Sequence, residues 1–72
     1  MRWKKLGSVI ISKRQGLGIS QRSLVKLTGI ARTTISAIEC NGVDPNLSTI
    51  RTLSKHLGPI QVRAVSGKIE AR

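Results

Sequence analysis

The segment from Ile19 to Asn41 constrains the fold more than any other part of the chain. Ser20 is a good helix N-cap, because its hydroxyl can accept a hydrogen bond from an unpaired backbone N–H of the first turn. Ile19 and Leu24 fall at the two positions of a hydrophobic staple. A Thr-Gly pair then ends this first short helix. The segment therefore predicts two short helices, at about 20–28 and 31–40, joined by a tight glycine turn.

The second of these helices has two different faces. Its apolar face is formed by Ile30, Ile35 and Ile38. The residues left to project outward are small, polar or basic, namely Arg32, Thr33, Ser36 and Ala37. A short helix of this kind, placed after a capped helix and a tight turn, is suited to reading the major groove of DNA. The pattern predicts a DNA-binding protein.

The charge balance favours a polyanionic partner. Thirteen Lys and Arg residues stand against three acids, giving a net charge of +10 over 72 residues, which is room for one small domain. Such a charge attracts nucleic acid by its field and by counterion release. The charge alone is also compatible with a basic protein of the ribosomal type. We expect no membrane partner, because no apolar run approaches the length of a spanning helix.

Composition argues against catalysis. One Cys and one His exclude an internal disulfide and a multi-cysteine zinc site, and they make a Ser-His-Asp triad improbable. We therefore predict no enzyme activity, no cofactor and no metal, and a cytoplasmic location. With one Trp and neither Tyr nor Phe, the chain lacks an aromatic platform for stacking unpaired bases. This favours duplex DNA over single strands or RNA.

Helical spacing predicts two more helices. Leu6, Val9 and Ile10 mark a first helix from about residue 4 to 15. Asn46 is a plausible cap for a fourth helix, which Gly58-Pro59 ends. The core stripe of that fourth helix is Leu47, Ile50, Leu53 and Leu57.

The last segment alternates with a period near two, which predicts a strand. Ile60, Val62 and Ala64 fall on one side of this strand. A single strand is not stable alone, because its backbone groups need a partner. We expect that partner to be the same strand of a second subunit. Beyond Ser66 the chain has little to bury and is expected to be a tail.

Several spaced motifs resemble the Cro/repressor-type (XRE) helix-turn-helix family over about residues 6–58. They are Gly18-Ile19-Ser20-Gln21, Gly29-Ile30, Thr34-Ile35-Ser36 with Ile38-Glu39, and Pro45 followed by Leu47. The resemblance implies an all-α fold, a four- to five-helix lambda-repressor-like helix-turn-helix domain with a short C-terminal β-strand. The expected organisation is a helix-turn-helix DNA-binding domain at 1–58, a dimerisation strand at 59–66 and a tail at 67–72.

The resemblance also implies roles for single residues. Gln21 would clamp a phosphate, and Arg14 and Glu39 would pair across helices. Arginine can donate two hydrogen bonds to guanine O6 and N7, so Arg32 is the best candidate for direct base readout. The helix starts near Gln21 and Asn46 are expected to hold phosphates, because the helix dipole favours an anion there. The full predicted set is Gln21, Arg22, Arg32, Thr33, Thr34, Ser36, Ala37 and Asn46.

One departure from the family concerns the start of the third helix. Ala31 stands where the family usually has a Ser or Thr cap. We expect this helix start to lose roughly 1 kcal/mol of capping.

The pattern of the third helix argues against a nonspecific nucleoid or RNA-binding protein, and two other functions stay open. The first is a sequence-specific transcriptional regulator, most simply a repressor or autorepressor that binds a palindromic operator as a homodimer. The alternative is an antitoxin that binds a toxin, such as a serine/threonine kinase, and autoregulates its operon, since resembling proteins with a strand after helix four are frequently antitoxins. Either would be bacterial or phage-encoded and nucleoid-associated when bound. The gene next to this one would discriminate between them.

Overall fold

Four helices and a small sheet form the structure, a computed structural model that describes residues 2–72. Met1, the first residue of the expected 1–58 domain, lies outside them. The elements in chain order are β1 (Lys4–Lys5), α1 (Leu6–Gly16), α2 (Gln21–Thr28), α3 (Arg32–Asn41), α4 (Leu47–Leu57), β2 (Val62–Val65) and β3 (Lys68–Ala71). The predicted four-helix fold with strand structure after α4 is confirmed.

The capping residues explain where the helices begin and end. The Ser20 hydroxyl accepts a hydrogen bond from the Ser23 backbone N–H at 3.0 Å, which opens α2. The Asn46 side-chain oxygen accepts from the Thr49 backbone N–H at 2.9 Å, which opens α4. Helix α3 follows Ala31 with no side-chain cap, as its sequence predicts. Gly29, with φ of 73°, supplies the left-handed conformation that ends α2.

The core is one apolar cluster shared by the helices and the sheet. Its buried members are Leu6, Val9, Ile10, Leu24, Ile35, Ile38, Ile50, Leu53, Leu57 and Ala71. Burying such side chains is the main favourable contribution to folding. Ala71 is fully buried, so the end of β3 belongs to this core.

The sheet has the strand order β1-β3-β2, and both pairings are antiparallel. Ser66 and Gly67 connect β2 to β3, with φ values of 51° and 77°. Positive φ at both central residues characterises the type I′ turn. The twist of this turn matches the right-handed twist of the two strands that it joins. The hairpin is therefore built by its own local sequence.

For the strand predicted at residues 59–66, the expected pairing partner needs correction. The strand spans Val62–Val65 and pairs with Lys68–Ala71 of the same chain, where a tail was expected. Ile69 and Ala71 alternate with charged residues, so one side of β3 packs against the core. The two-residue turn and this burial make the intrachain pairing available without a second subunit.

Besides the pairing of β1 with β3 and the burial of Ala71, side-chain contacts attach the hairpin to the rest of the described chain. Asp44, in the loop between α3 and α4, accepts a hydrogen bond from the Ile69 backbone N–H at 3.1 Å. Two guanidinium groups make cation–π contacts with the Trp3 ring. That of Arg63 lies 4.6 Å from the ring centroid and that of Arg72 lies 4.3 Å from it. Trp3 thus packs on the edge of its own domain.

We predict that Gly7→Ala destabilises the fold. A Cβ at this position would collide with the Ile38 carbonyl oxygen of α3, so the two helices would have to separate. Overpacking of this kind costs about 1–3 kcal/mol in free energy of unfolding, measurable by urea denaturation.

The matched control is Gly16→Ala at the end of the same helix. Apart from its chain neighbours and its own helix backbone, no described atom lies within 4 Å of a Cβ built there, so this variant should be as stable as the wild type or slightly more stable. Equal stability of the two variants would show that α1 and α3 are not in tight contact at Gly7.

Candidate nucleic-acid interface

The turn between α2 and α3 is held by one threonine hydroxyl. Thr28 Oγ1 donates to the Leu24 carbonyl at 2.7 Å and accepts from the Ile30 backbone N–H at 3.1 Å. Leu24 itself is completely buried. The threonine hydroxyl thus binds one backbone group before the turn and one after it. The turn in this fixed conformation sets the direction of α3 relative to α2.

Helix α3 presents a polar face opposite its buried one. Ile35 and Ile38 are the buried residues of this helix. At 100° per residue, the direction opposite to them passes between Thr33, Ser36, Ala37 and Cys40, with Arg32 and Thr34 at the two flanks. Arg32, Thr33 and Thr34 are exposed, and Ser36 and Ala37 are half-buried. The five α3 residues predicted to contact DNA thus lie on the exposed side of one helix.

Cys40 was missed as a member of this face. It is exposed and lies one helical turn beyond Ser36 and Ala37. The signal was present in the sequence, because the 3.6-residue period counted from Ile35 and Ile38 places position 40 away from the core.

A buried ion pair fixes α3 against α1. Arg14 donates to both carboxylate oxygens of Glu39, through Nε at 3.0 Å and through Nη2 at 3.2 Å. The two side chains are only 13% and 2% exposed. Arg14 also donates to the Ile19 carbonyl at 2.9 Å. The expected pairing of Arg14 with Glu39 across helices is present.

Gln21 joins the same network from the start of α2. Its side-chain Nε2 donates to Glu39 Oε1 at 2.9 Å. An amide nitrogen carries two N–H donors, so one remains for a second acceptor. Gln21 therefore links three helices and keeps a donor of the kind that a phosphate contact requires.

The helix starts of the site carry no acidic residue in their first turns. This holds for α2, α3 and α4. Their N-termini accordingly keep the partial positive charge of the helix dipole, which attracts anions. Arg22 is exposed at the start of α2, and Asn46 is exposed at the start of α4, where its side-chain oxygen already serves as the cap.

The three acids of the chain are engaged within the protein. Glu39 is bound by Arg14, Glu70 by Arg63 at 2.7 Å, and Asp44 by the Ile69 backbone N–H. None of them lies on the exposed face of α3. The positive charge near this face is thus not opposed by a free carboxylate among residues 2–72.

The described part of the chain contains no group of His, Cys, Asp and Glu residues that could hold a metal ion. No helix within residues 2–72 is both long and apolar enough to cross a bilayer.

The arrangement of α2, turn and α3 agrees with the result of comparing the chain with known families. The model of the helix-turn-helix family matches residues 10–63. The chain belongs to the helix-turn-helix family. Its matched region includes every residue predicted to contact DNA, and the family consists of DNA-binding modules rather than enzymes.

A curated relative carries the same domain. It is a Haemophilus influenzae protein described as an uncharacterized HTH-type transcriptional regulator, and it is 41% identical over 49 residues. The match covers 68% of this chain and 50% of the relative, so the chain spans about half the length of that protein. No solved structure matches the chain significantly.

We predict that Glu39→Ala strongly destabilises this helix-turn-helix domain. The substitution leaves the Arg14 guanidinium buried without its carboxylate, and removing one partner of a buried pair costs about 3–5 kcal/mol. The free energy of unfolding is measured by urea denaturation followed by circular dichroism.

Glu70→Ala is the matched control, since it breaks the exposed pair with Arg63. Those two side chains are 33% and 47% exposed, and surface pairs contribute at most about 1 kcal/mol. Similar losses for both variants would contradict the anchoring role of Glu39.

Proposed function

We propose that this chain is a sequence-specific regulator of transcription that binds double-stranded DNA as a homodimer and represses its own promoter. The observation that carries the proposal is the exposed polar and basic face of α3, held rigidly by the buried pair of Arg14 and Glu39. A recognition helix has to keep one angle in the major groove, and this anchor restricts that angle.

The proposed contacts divide into base and phosphate contacts. Arg32 donates to guanine, while Thr33, Ser36 and Ala37 touch base edges by hydroxyl or methyl groups. Thr34 lies at the flank, next to the backbone of the DNA. Gln21, Arg22 and Asn46 bind phosphates at the starts of α2 and α4, where the helix dipole assists them.

The test is fluorescence anisotropy of the protein on its own upstream DNA and on a shuffled duplex, over a series of salt concentrations. Phosphate contacts predict a slope of log K against log salt of about −0.9 per contact for both duplexes. We expect the upstream DNA to bind about 10³-fold more tightly or better. Equal binding would contradict operator recognition.

Two variants separate the proposed contacts. Arg32→Ala should lose affinity mainly for the upstream DNA, by about 1–3 kcal/mol, because a bidentate guanine contact discriminates by that amount. Gln21→Ala should weaken both duplexes by a similar factor, since phosphate contacts carry no sequence information. A uniform loss in Arg32→Ala would exclude a base-reading role for this arginine.

The proposed homodimer uses the outer edge of β2. Gln61 and Arg72 exchange two backbone hydrogen bonds of 3.0 Å, so they form a hydrogen-bonded antiparallel pair. Because such pairs alternate with non-hydrogen-bonded ones, Val62 and Ala64 direct their N–H and C=O groups away from β3. These groups form an unpaired sheet edge, which can pair with another strand.

Charge selects a register for this dimer. Pairing β2 symmetrically about Arg63 would place two arginines opposite each other, and like charges at such positions are destabilising. Pairing about Val62 instead places Arg63 opposite Gln61 of the second copy. A two-fold dimer of this kind can read two half-sites one turn of DNA apart, about 10–10.5 base pairs from centre to centre.

We predict that Ala64→Pro abolishes the dimer without unfolding the chain. Proline removes an N–H that points outward, a position where edge strands tolerate it. Sedimentation velocity should give the wild type twice the 7.8 kDa of one chain, and the variant 7.8 kDa.

Ala64→Thr is the control, because threonine keeps the backbone N–H and suits a strand. It should sediment as a dimer. A dimeric Ala64→Pro variant with wild-type helicity would show that the subunits associate elsewhere.

A second proposed role is that of an antitoxin. In this role the same DNA-bound dimer also binds a toxin protein. The observation that favours it is the positive charge located away from α3, on Lys4 and Lys13. Neither residue is among the proposed DNA contacts. Co-expression with the product of the neighbouring gene tests this role, and absence of a complex would remove it.

A further inference from the structure

A basic surface hollow lies between β1 and the start of α1. Its volume is about 480 Å³, and its lining residues are Arg2, Lys4, Val9, Ser12, Lys13 and Arg72. We refer to this set as the basic hollow. Every ionisable side chain in it is a cation. The acids of the chain, already engaged by Arg14, Arg63 and the Ile69 N–H, contribute nothing to its lining.

The basic hollow faces away from the proposed DNA-reading helix. Gly7 and Arg14 are the residues by which α1 touches α3, through Ile38 and Glu39. At 100° per residue, the α1 side that carries the lining residues of the hollow is rotated roughly 150° from Gly7 and Arg14. A duplex lying on the exposed face of α3 is thus on the other side of α1.

We propose that the basic hollow is a docking site for an acidic segment of a partner protein. Charge complementarity carries the proposal: Arg2, Lys4 and Lys13 have no ion-pair partner among residues 2–72, and a carboxylate-bearing segment would supply one for each. Arg72 also lines the hollow, and its guanidinium contacts the Trp3 ring and the Gln61 side chain.

The shape of the basic hollow favours a peptide segment over a small anion. Its volume falls in the range of pockets that bind drug-sized ligands. A single phosphate ion would fill only a small part of it. Because β1 is an edge strand, an extended segment can also hydrogen-bond to its backbone.

This docking site is independent of the proposed operator reading, since none of its residues is among the proposed DNA contacts. Its failure and the failure of operator recognition are therefore measured separately. The probe for docking is fluorescently labelled hexaglutamate, titrated with the full chain at low salt and followed by anisotropy. Operator affinity is measured on the same samples.

The test variant is Lys4→Gln/Lys13→Gln, and the control is Lys26→Gln/Lys55→Gln. Both lower the net charge equally, and the control lysines are exposed on α2 and α4, outside the basic hollow. We expect the test variant to bind hexaglutamate about tenfold more weakly, since each removed charge pair contributes modestly at a surface. The control should change by less than about twofold, the residual effect of net charge.

Three outcomes would overturn the proposal. Equal losses in both variants would mean that hexaglutamate senses only overall charge. Displacement of hexaglutamate by the operator duplex would mean that both bind one surface. Tighter binding of inorganic tripolyphosphate than of hexaglutamate, with the same loss in the test variant, would make the hollow a phosphate site. NMR amide shifts confined to Lys4, Val9, Ser12 and Lys13 on adding hexaglutamate would support it.

Discussion

The buried ion pair between Arg14 and Glu39 is the contact on which the placement of α3 depends. Burying two charges is costly unless hydrogen bonds satisfy both of them. Here the carboxylate receives three hydrogen bonds, two from Arg14 and one from Gln21, and the guanidinium donates a further one to the Ile19 carbonyl. Because these groups come from α1, α2 and the segment between them, the pair gives α3 a defined direction more than it adds net stability.

The same region of α3 is also where the helices come closest. Gly7 of α1 lies against the Ile38 carbonyl, next to Glu39 in the chain. Backbone contact and ion pair thus hold the C-terminal half of α3. Its N-terminal half begins at Ala31 without a side-chain cap and carries Arg32 and Thr33 in the open. The ion pair and the backbone contact thus lie at the C-terminal end of α3, and the basic N-terminal end is exposed.

Local chemistry made the helical part of the fold predictable. Ser20 and Asn46 cap helices with their own side chains, and Ile35 and Ile38 define a buried face by spacing alone. The sheet was harder to predict. Lys4 and Lys5 have low strand propensity and become a strand only by pairing with β3 at the far end of the sequence.

Two contacts, one in the site and one in the hairpin, lie beyond what periodicity can show. Gln21 reaches Glu39 across 18 positions, and Asp44 reaches the Ile69 backbone across 25. No pattern in either segment encodes such a meeting, since it follows from how the helices pack. The hydrogen bond from Gln21 to Glu39, which leaves one Gln21 donor for the proposed phosphate contact, is a result that only the fold could suggest.

The pairing of β1 with β3 has a consequence for the order in which the molecule assembles. A hairpin with a two-residue turn, such as β2 and β3, closes within microseconds. Lys4 meets Ala71 only when almost the whole described chain has been brought together, which costs far more loop entropy. We therefore expect β1 to join the sheet last and to leave it first. The basic hollow, which takes Lys4 from that strand, exists only in the fully folded chain, so a partner that binds there would also hold the two ends of the chain together.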